Sequence, residues 1–484
     1  MTKALIVVFD GLQPAQVTER LMPNLAAFAS AGVTFANHHA VYPSVTRANA
    51  SSMVTGRHPG GHGIAANTLL VTEYDSNNPM PALEPQLELL AQKTGQVQLA
   101  PTLAEVLAGH GQEYVAIGVG TSGNAYLHNP KAGSLGGATI HPDFALPRPL
   151  HDDIVARFGP WPAESRPNTP RMAHAVRVLT EYILPERDPS VALIWSSEPD
   201  KSQHDSGVGS DLSDAAVIEA DAQFGKILKW LHENGRASQT NVMVVSDHGY
   251  STIGETVNVE KLAREAGFPA GGEPGGVVVA NNGGAVLLYS SPWNRETVVN
   301  LVEWLMSQPW CGNLTVSERV GCIQGTLPAA LVGNEGQRAP DVAMSFRWSP
   351  DSNPSGYAGG IFSTGGVPGQ GQHGSMGHSE LHNILFAGGP DLKDNLVIDV
   401  PSGNIDLAPT VLRLLGLPPM EGAEGRALDE ALSTGPDPAQ VEWVSDLHST
   451  DCPVGDKVYR QQIKLSRVGG TVYVDEGNSS LGFR

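Results

Sequence analysis

ALIVVFDG, residues 4–11, is a run of six apolar residues closed by an acid and a glycine. A strand with one solvent face alternates apolar and polar residues. An unbroken run has no such face and is buried on both sides, as in a parallel sheet covered by helices. Asp10-Gly11 supplies the turn that ends it. The same grammar returns at Val191–Trp195, followed by SSEPDKSQHD, and at Val242–Val245, followed by SDHG. Between these runs lie helical patterns. Asn24 to Ala31 stops at Gly32, and Thr102–Ala108 carries a capping box from Thr102 to Glu105. Tyr114–Val119 reads as a further strand, and His174–Leu184 and Leu212–His232 as further helices. The alternation predicts an α/β protein with a mostly parallel central sheet sandwiched by helices.

In such sheets ligands gather at the carboxyl ends of the strands. Asp10, the pair Asp200 and His204, and the pair Asp247 and His248 each follow a predicted strand. Any one of them reads equally as a turn residue, but five metal-competent side chains from three strand ends would meet at one edge.

The middle of the chain changes character. Residues 260–345 hold GGEPGGVVVANNGG, a strand Val286–Tyr289, a helix Trp293–Met306 and a strand Val342–Phe346, and predict a smaller inserted α+β cap lobe. Residues 349–373 are rich in Gly, Ser and Pro and read as a loop. Ile384–Ala387 returns to the sheet, Asn404–Leu415 is helical, and Val458–Val474 predicts a terminal hairpin. The expected division is therefore a core at 1–259, the cap at 260–345, the second part of the core at 346–424, and a C-terminal extension at 425–484.

Composition narrows the function. The 484 residues carry a formal charge of −20, with 40% hydrophobic residues. No basic stripe exists to neutralise a nucleic acid polymer. No stretch approaches the roughly 20 apolar residues of a membrane span. The apolar run after Met1 is too short for a signal peptide, so a cytoplasmic location is expected, with Met1 taken as the native start. Cys311, Cys322 and Cys452 are too few for a disulfide framework, and free thiols are expected, with a Cys311–Cys322 bridge as the alternative.

The segment YPSVTRANASSMVTGRHPGGHGI, residues 42–64, carries the most chemistry. Pro43-Ser44 makes a turn, and a helix of small residues follows. Thr46 falls at or just before its start, where exposed N–H groups and the dipole favour an anion. Thr46 is then either a helix N-cap or a nucleophile.

Taken together, VVFDGL (7–12), MPNLAAFASAGVTF (22–35), the 42–64 segment, SEPDKSQHDSG (197–207), VVSDHGY (244–250), GQHGS (371–375) and NIDLAPTVLRLLGLPP (404–419) resemble the alkaline phosphatase superfamily. The similarity is to its nucleotide pyrophosphatase/phosphodiesterase branch, and also to phosphonoacetate hydrolases. The resemblance implies a hydrolase with two divalent metal ions, usually zinc, and a threonine or serine nucleophile. Manganese or iron would also suit such ligands. Carried over by motif, Asp10, Thr46, Asp247 and His248 hold one metal, and Asp200, His204 and His373 the other. His373 is preferred to His378 for its H-G-S setting. Asn49 matches the asparagine that binds a phosphoryl oxygen.

The implied reaction is hydrolysis of a phosphodiester or pyrophosphate bond in a small phosphorylated substrate, through a phospho-threonine intermediate. Arg47 departs from the branch, where an aromatic residue commonly follows the nucleophile and stacks a nucleobase. A phosphonoacetate hydrolase is the runner-up, with Arg47, Lys131 or Lys201 as carboxylate clamp, and the loop at 118–133 as a substrate wall. A phosphomonoesterase, with Arg47 or Arg57 near the site, and a non-catalytic metal-stabilised protein are the remaining readings. A homodimer is compatible with all of them.

Overall fold

A computed structural model describes residues 2–483. Nine strands form the main sheet: β1 (Lys3–Phe9), β2 (Val33–Phe35), β3 (Tyr114–Gly118), β4 (Ala138–His141), β5 (Phe144–Leu146), β6 (Val191–Ser196), β7 (Thr240–Val245), β8 (Leu385–Gly388) and β9 (Leu396–Ile398). Their order is β9-β2-β8-β7-β1-β6-β3-β4-β5. The centre, β7-β1-β6-β3-β4, is parallel throughout. Antiparallel pairs enter at β8 and β5.

The unbroken apolar runs are explained by what covers them. Leu5, Val7 and Phe9 pack against helices Pro23–Ala31, Leu150–Phe158, Thr169–Val178 and Asp211–Glu233. Ala4, Ile6 and Val8 point the other way, toward Thr46–Thr55, Glu84–Thr94, Leu103–Gly109 and Leu407–Leu414. From Ala4 to Phe9 neither face of β1 meets water, so no polar residue is tolerated there until the strand ends. In register, Val8 lies beside Val245 on one side and Trp195 on the other. The ends of β7, β1 and β6 therefore sit side by side, which brings Asp247, Asp10 and Asp200 to one edge.

Residues 277–346 form a five-stranded sheet in the order Val277–Asn282, Ala285–Ser290, Val342–Phe346, Cys311–Val316, Leu327–Pro328. Helix Arg295–Met306 covers one face. The other face, with Val278, Ala280, Leu287 and Ala343, packs into the main core.

Two sequence expectations need correction. The stretch 349–373 is not a simple loop. Trp348–Ser352, Ala358–Ser363 and Gly371–Gln372 join Ser251–Thr256 in a four-stranded sheet. Backbone ladders need no apolar side chains, so a Gly- and Ser-rich sequence hid them. The terminal hairpin, Lys457–Val468 with Thr471–Phe483, gains a third strand, Val444–Val454. That strand is an edge whose residues are exposed or half-buried, and its polar sequence carries no burial signal. All three cysteines are free thiols. Among the described residues no helix is long and apolar enough to cross a membrane.

Candidate active site

Two groups of metal-competent side chains stand at the strand ends: Asp10, Asp247 and His248, and Asp200, His204 and His373. Within each group the ligand atoms lie within 4.8 Å of one another. The groups adjoin, because the His248 and His373 rings stack with centroids 3.6 Å apart. His373 arrives from the glycine-rich segment, where Gly371 and Gln372 pair with Thr252 and Ser251, just past His248. His378 stays outside, half-exposed near Glu476.

Each ligand is oriented from behind. His373 directs Nδ1 to the Ser44 carbonyl at 2.8 Å, His204 to the Gly371 carbonyl at 3.2 Å, and His248 to the Gly249 carbonyl at 2.9 Å. If each ring donates from Nδ1, Nε2 is the atom available to hold a cation. Trp195 Nε1 donates to Asp10 Oδ2 at 2.9 Å, the Gly11 N–H to Asp247 Oδ1 at 3.0 Å, and the Tyr250 hydroxyl to Asp200 Oδ1 at 2.8 Å. Gly11 holds φ +70°, and a Cβ there would meet Tyr250 Cε2 at 2.7 Å, so the strand-end turn requires glycine.

The remaining carboxylate oxygens, Asp10 Oδ1 and Asp247 Oδ2, are buried and accept no hydrogen bond. His248 Nε2 stands 3.6 and 3.2 Å from them. A buried, unsatisfied carboxylate oxygen is costly. Two of them converging on one imidazole suit a bound cation, and mixed His/Asp donors suit zinc. The electrostatics agree. Burial, then Asp247 and Asp200, hold the Asp10 carboxyl well above its usual range. Burial opposes charge on His248, but Asp247, Asp10 and Asp200 prevail and raise its pKa to about 10. Burial likewise opposes the Asp200 charge, yet His204, His373 and His248 pull its pKa below the usual range.

Thr46 is the first residue of helix Thr46–Thr55, and the N-cap is Val45, which has no capping side chain. The hydroxyl is therefore not a cap. Its Oγ1 lies 3.4 Å from His248 Nε2. The small residues Ala48, Ala50, Ser51 and Ser52 are all buried, which lets this helix sit deep in the molecule.

Asn49 is not placed as expected. It is 0% exposed. Its Oδ1 accepts from the Val41 N–H and from Asn404, and its Nδ2 donates to the Val45 carbonyl. These bonds brace the turn at Thr46 and commit Oδ1 to the protein. Asn67, overlooked in the sequence, is half-buried, and its Oδ1 accepts the Arg47 N–H at 2.9 Å. That contact commits Oδ1 and leaves Nδ2 as the donor end of the amide. It is made across a loop, so no local pattern announces it. Lys131 and Lys201 are committed elsewhere, to Glu105 at 2.6 Å and Glu164 at 2.5 Å.

Behind His373, buried Glu380 accepts from the Ser375 N–H and hydroxyl, both at 2.6 Å, and from Ser44 Oγ at 3.3 Å. It thereby fixes the carbonyl that orients His373. Glu380→Gln puts an N–H₂ where donors converge. It is expected to weaken metal binding at the His373 group about 10-fold, as outer-shell changes do. Competition against a chromogenic chelator measures this.

A family model described as type I phosphodiesterase / nucleotide pyrophosphatase matches residues 4–350. The chain belongs to that family. An ectonucleotide pyrophosphatase/phosphodiesterase of Caenorhabditis elegans is 23% identical over 428 residues, 85% of this chain and 46% of its own length. A bis(5'-adenosyl)-triphosphatase of Xenopus laevis is 25% identical over 249 residues, 51% of this chain and 47% of its own length. The chain thus spans about half the length of these curated relatives. Among solved structures, murine ectonucleotide pyrophosphatase/phosphodiesterase 5, an inactive variant in complex with AMP, superposes with a TM-score of 0.64 at 16% identity. That match covers 90% of this chain and 100% of the other, and it shows the alkaline phosphatase-like α/β fold.

Proposed function

We propose that the chain hydrolyses phosphodiester or pyrophosphate bonds of a small phosphorylated substrate, with Thr46 as nucleophile and one divalent cation, zinc first, in each ligand group. The observation that carries this is the Thr46 hydroxyl, freed from capping and 3.4 Å from His248, where the two adjoining groups meet. The names of the relatives, which include a pyrophosphatase/phosphodiesterase and a bis(5'-adenosyl)-triphosphatase, support the substrate class.

Bound cations would lower the pKa of the Thr46 hydroxyl and of water and oppose charge growing on the phosphoryl oxygens. Thr46 Oγ1 attacks phosphorus, forming an O–P bond as the bond to the leaving oxygen breaks. The positive end of the Thr46–Thr55 helix dipole favours the phosphoryl oxygens, and Asn67 Nδ2 is the proposed side-chain donor. The Thr46 proton leaves on attack and ends on the departing oxygen through solvent; water then attacks the same phosphorus, the Oγ1–P bond breaks, and a water proton restores the Thr46 hydroxyl.

The test is metal-stripped protein reloaded with zinc or manganese. It is assayed against bis(4-nitrophenyl) phosphate, a nucleotide ester of nitrophenol, 4-nitrophenyl phosphate and phosphonoacetate. Metal-dependent turnover of either diester is expected. Phosphate release from phosphonoacetate alone would contradict the reading.

A further inference from the structure

We propose that Arg47 reads a second oxyanion on the substrate, next to the phosphorus that Thr46 attacks, and so selects pyrophosphate links over diesters of neutral alcohols. This rests on the function proposed above and narrows its substrate class.

Four basic side chains were candidates for contact with substrate. Lys131 and Lys201 are held by Glu105 and Glu164, and Arg57 bonds the Glu421 carbonyl at 3.3 Å. Arg47 has no carboxylate within ion-pair distance among the described residues, and its buried Nε has no hydrogen-bond partner there. The acids that bear on its guanidinium are Asp10, Asp200 and Asp247. These carboxylates belong to the cation groups, so a loaded site leaves the guanidinium without a counter-charge.

Local structure does not account for an arginine here. It is the second residue of helix Thr46–Thr55, where a cation opposes the helix dipole. Its backbone is held, because Asn67 Oδ1 accepts its N–H at 2.9 Å. A planar, always-charged guanidinium next to the nucleophile matches an oxyanion in a bidentate way. The neighbouring phosphate of a pyrophosphate link supplies that oxyanion. So does the second ionised oxygen of a phosphomonoester, and the experiment separates these sources.

Zinc-loaded wild type, Arg47→Ala and Arg47→Lys are compared on a dinucleoside pyrophosphate, 4-nitrophenyl phosphate and bis(4-nitrophenyl) phosphate, with metal content measured for each. In Arg47→Ala the ratio of kcat/KM for the pyrophosphate to that for bis(4-nitrophenyl) phosphate is expected to fall at least about 30-fold, with two metals retained and Arg47→Lys intermediate. A fall confined to the monoester ratio assigns the oxyanion to phosphorus itself and overturns the pyrophosphate assignment. Unchanged ratios, or a loss of metal that accounts for the effect, overturn the role of Arg47. Should wild type turn over none of the three, the proposed function fails while this inference is still read by calorimetry. Inorganic pyrophosphate must then bind wild type at least about 10-fold more tightly than Arg47→Ala, with inorganic phosphate showing no such difference. Equal pyrophosphate binding, or an equal loss of phosphate binding, would overturn it.

Discussion

Thr46→Ala is expected to lower kcat/KM by at least about 10,000-fold on any substrate the wild type cleaves, as loss of a nucleophile does in other covalent enzymes. The protein should still bind two metal equivalents. The reason is geometric: with the Thr46 oxygen removed, Asp10, Asp247 and His248 still offer three side chains at one group, and Asp200, His204 and His373 three at the other. Folding should be little changed. Thr46 is not the N-cap, and its hydroxyl has one long contact, to His248 at 3.4 Å. Metal analysis beside steady-state rates checks both halves. An Ala variant that retained a tenth of the activity would mean water attacks phosphorus directly.

Asp247→Asn should act through the opposite route. The change is isosteric, and the Asn oxygen can still accept the Gly11 N–H that now bonds Asp247 Oδ1. The strand-end turn should survive. What is lost is the second oxygen, buried and without a donor, which faces Asp10 and His248. Replacing it with an N–H₂ removes one ligand and one negative charge from a three-residue group. One metal equivalent instead of two is expected, with turnover reduced at least about 1,000-fold, since the cations stabilise both attack and departure. Metal analysis after dialysis gives the stoichiometry, and excess zinc in the assay should rescue little. Two tightly bound equivalents in the variant would show that Asp247 is not a ligand.

Much of this site was legible because burial dictates sequence. Ala4–Phe9, Val191–Trp195 and Val242–Val245 have helices on both faces, so each must be apolar until the sheet ends, and the first polar residues mark the ligand edge. His373 was not legible that way. It reaches the site through Gly371–Gln372 pairing with Ser251–Thr256, a contact between segments more than 100 residues apart (371 − 251 = 120) that leaves no local pattern. Only its motif pointed to it. Asn49 misled for a related reason. Its spacing from Thr46 fits an asparagine beside the nucleophile, but bonds to Val41, Val45 and Asn404 use its amide for bracing. Asn67, 21 residues after Thr46 (67 − 46 = 21), comes to Arg47 across a loop. The strands hidden in 349–373 and the edge strand Val444–Val454 show the same limit, since a ladder closed by backbone bonds need not appear in side-chain hydrophobicity.

The central claim is that Thr46 carries the phosphoryl group between two chemical steps. It is tested by quenching zinc-loaded wild type in acid during turnover of a nucleotide ester of nitrophenol and mapping the adduct by peptide mass spectrometry. A nucleotidyl mass on the peptide that contains Thr46, absent from Thr46→Ala, is the predicted result. Full turnover with no adduct at Thr46, or with the adduct on another residue, would contradict it.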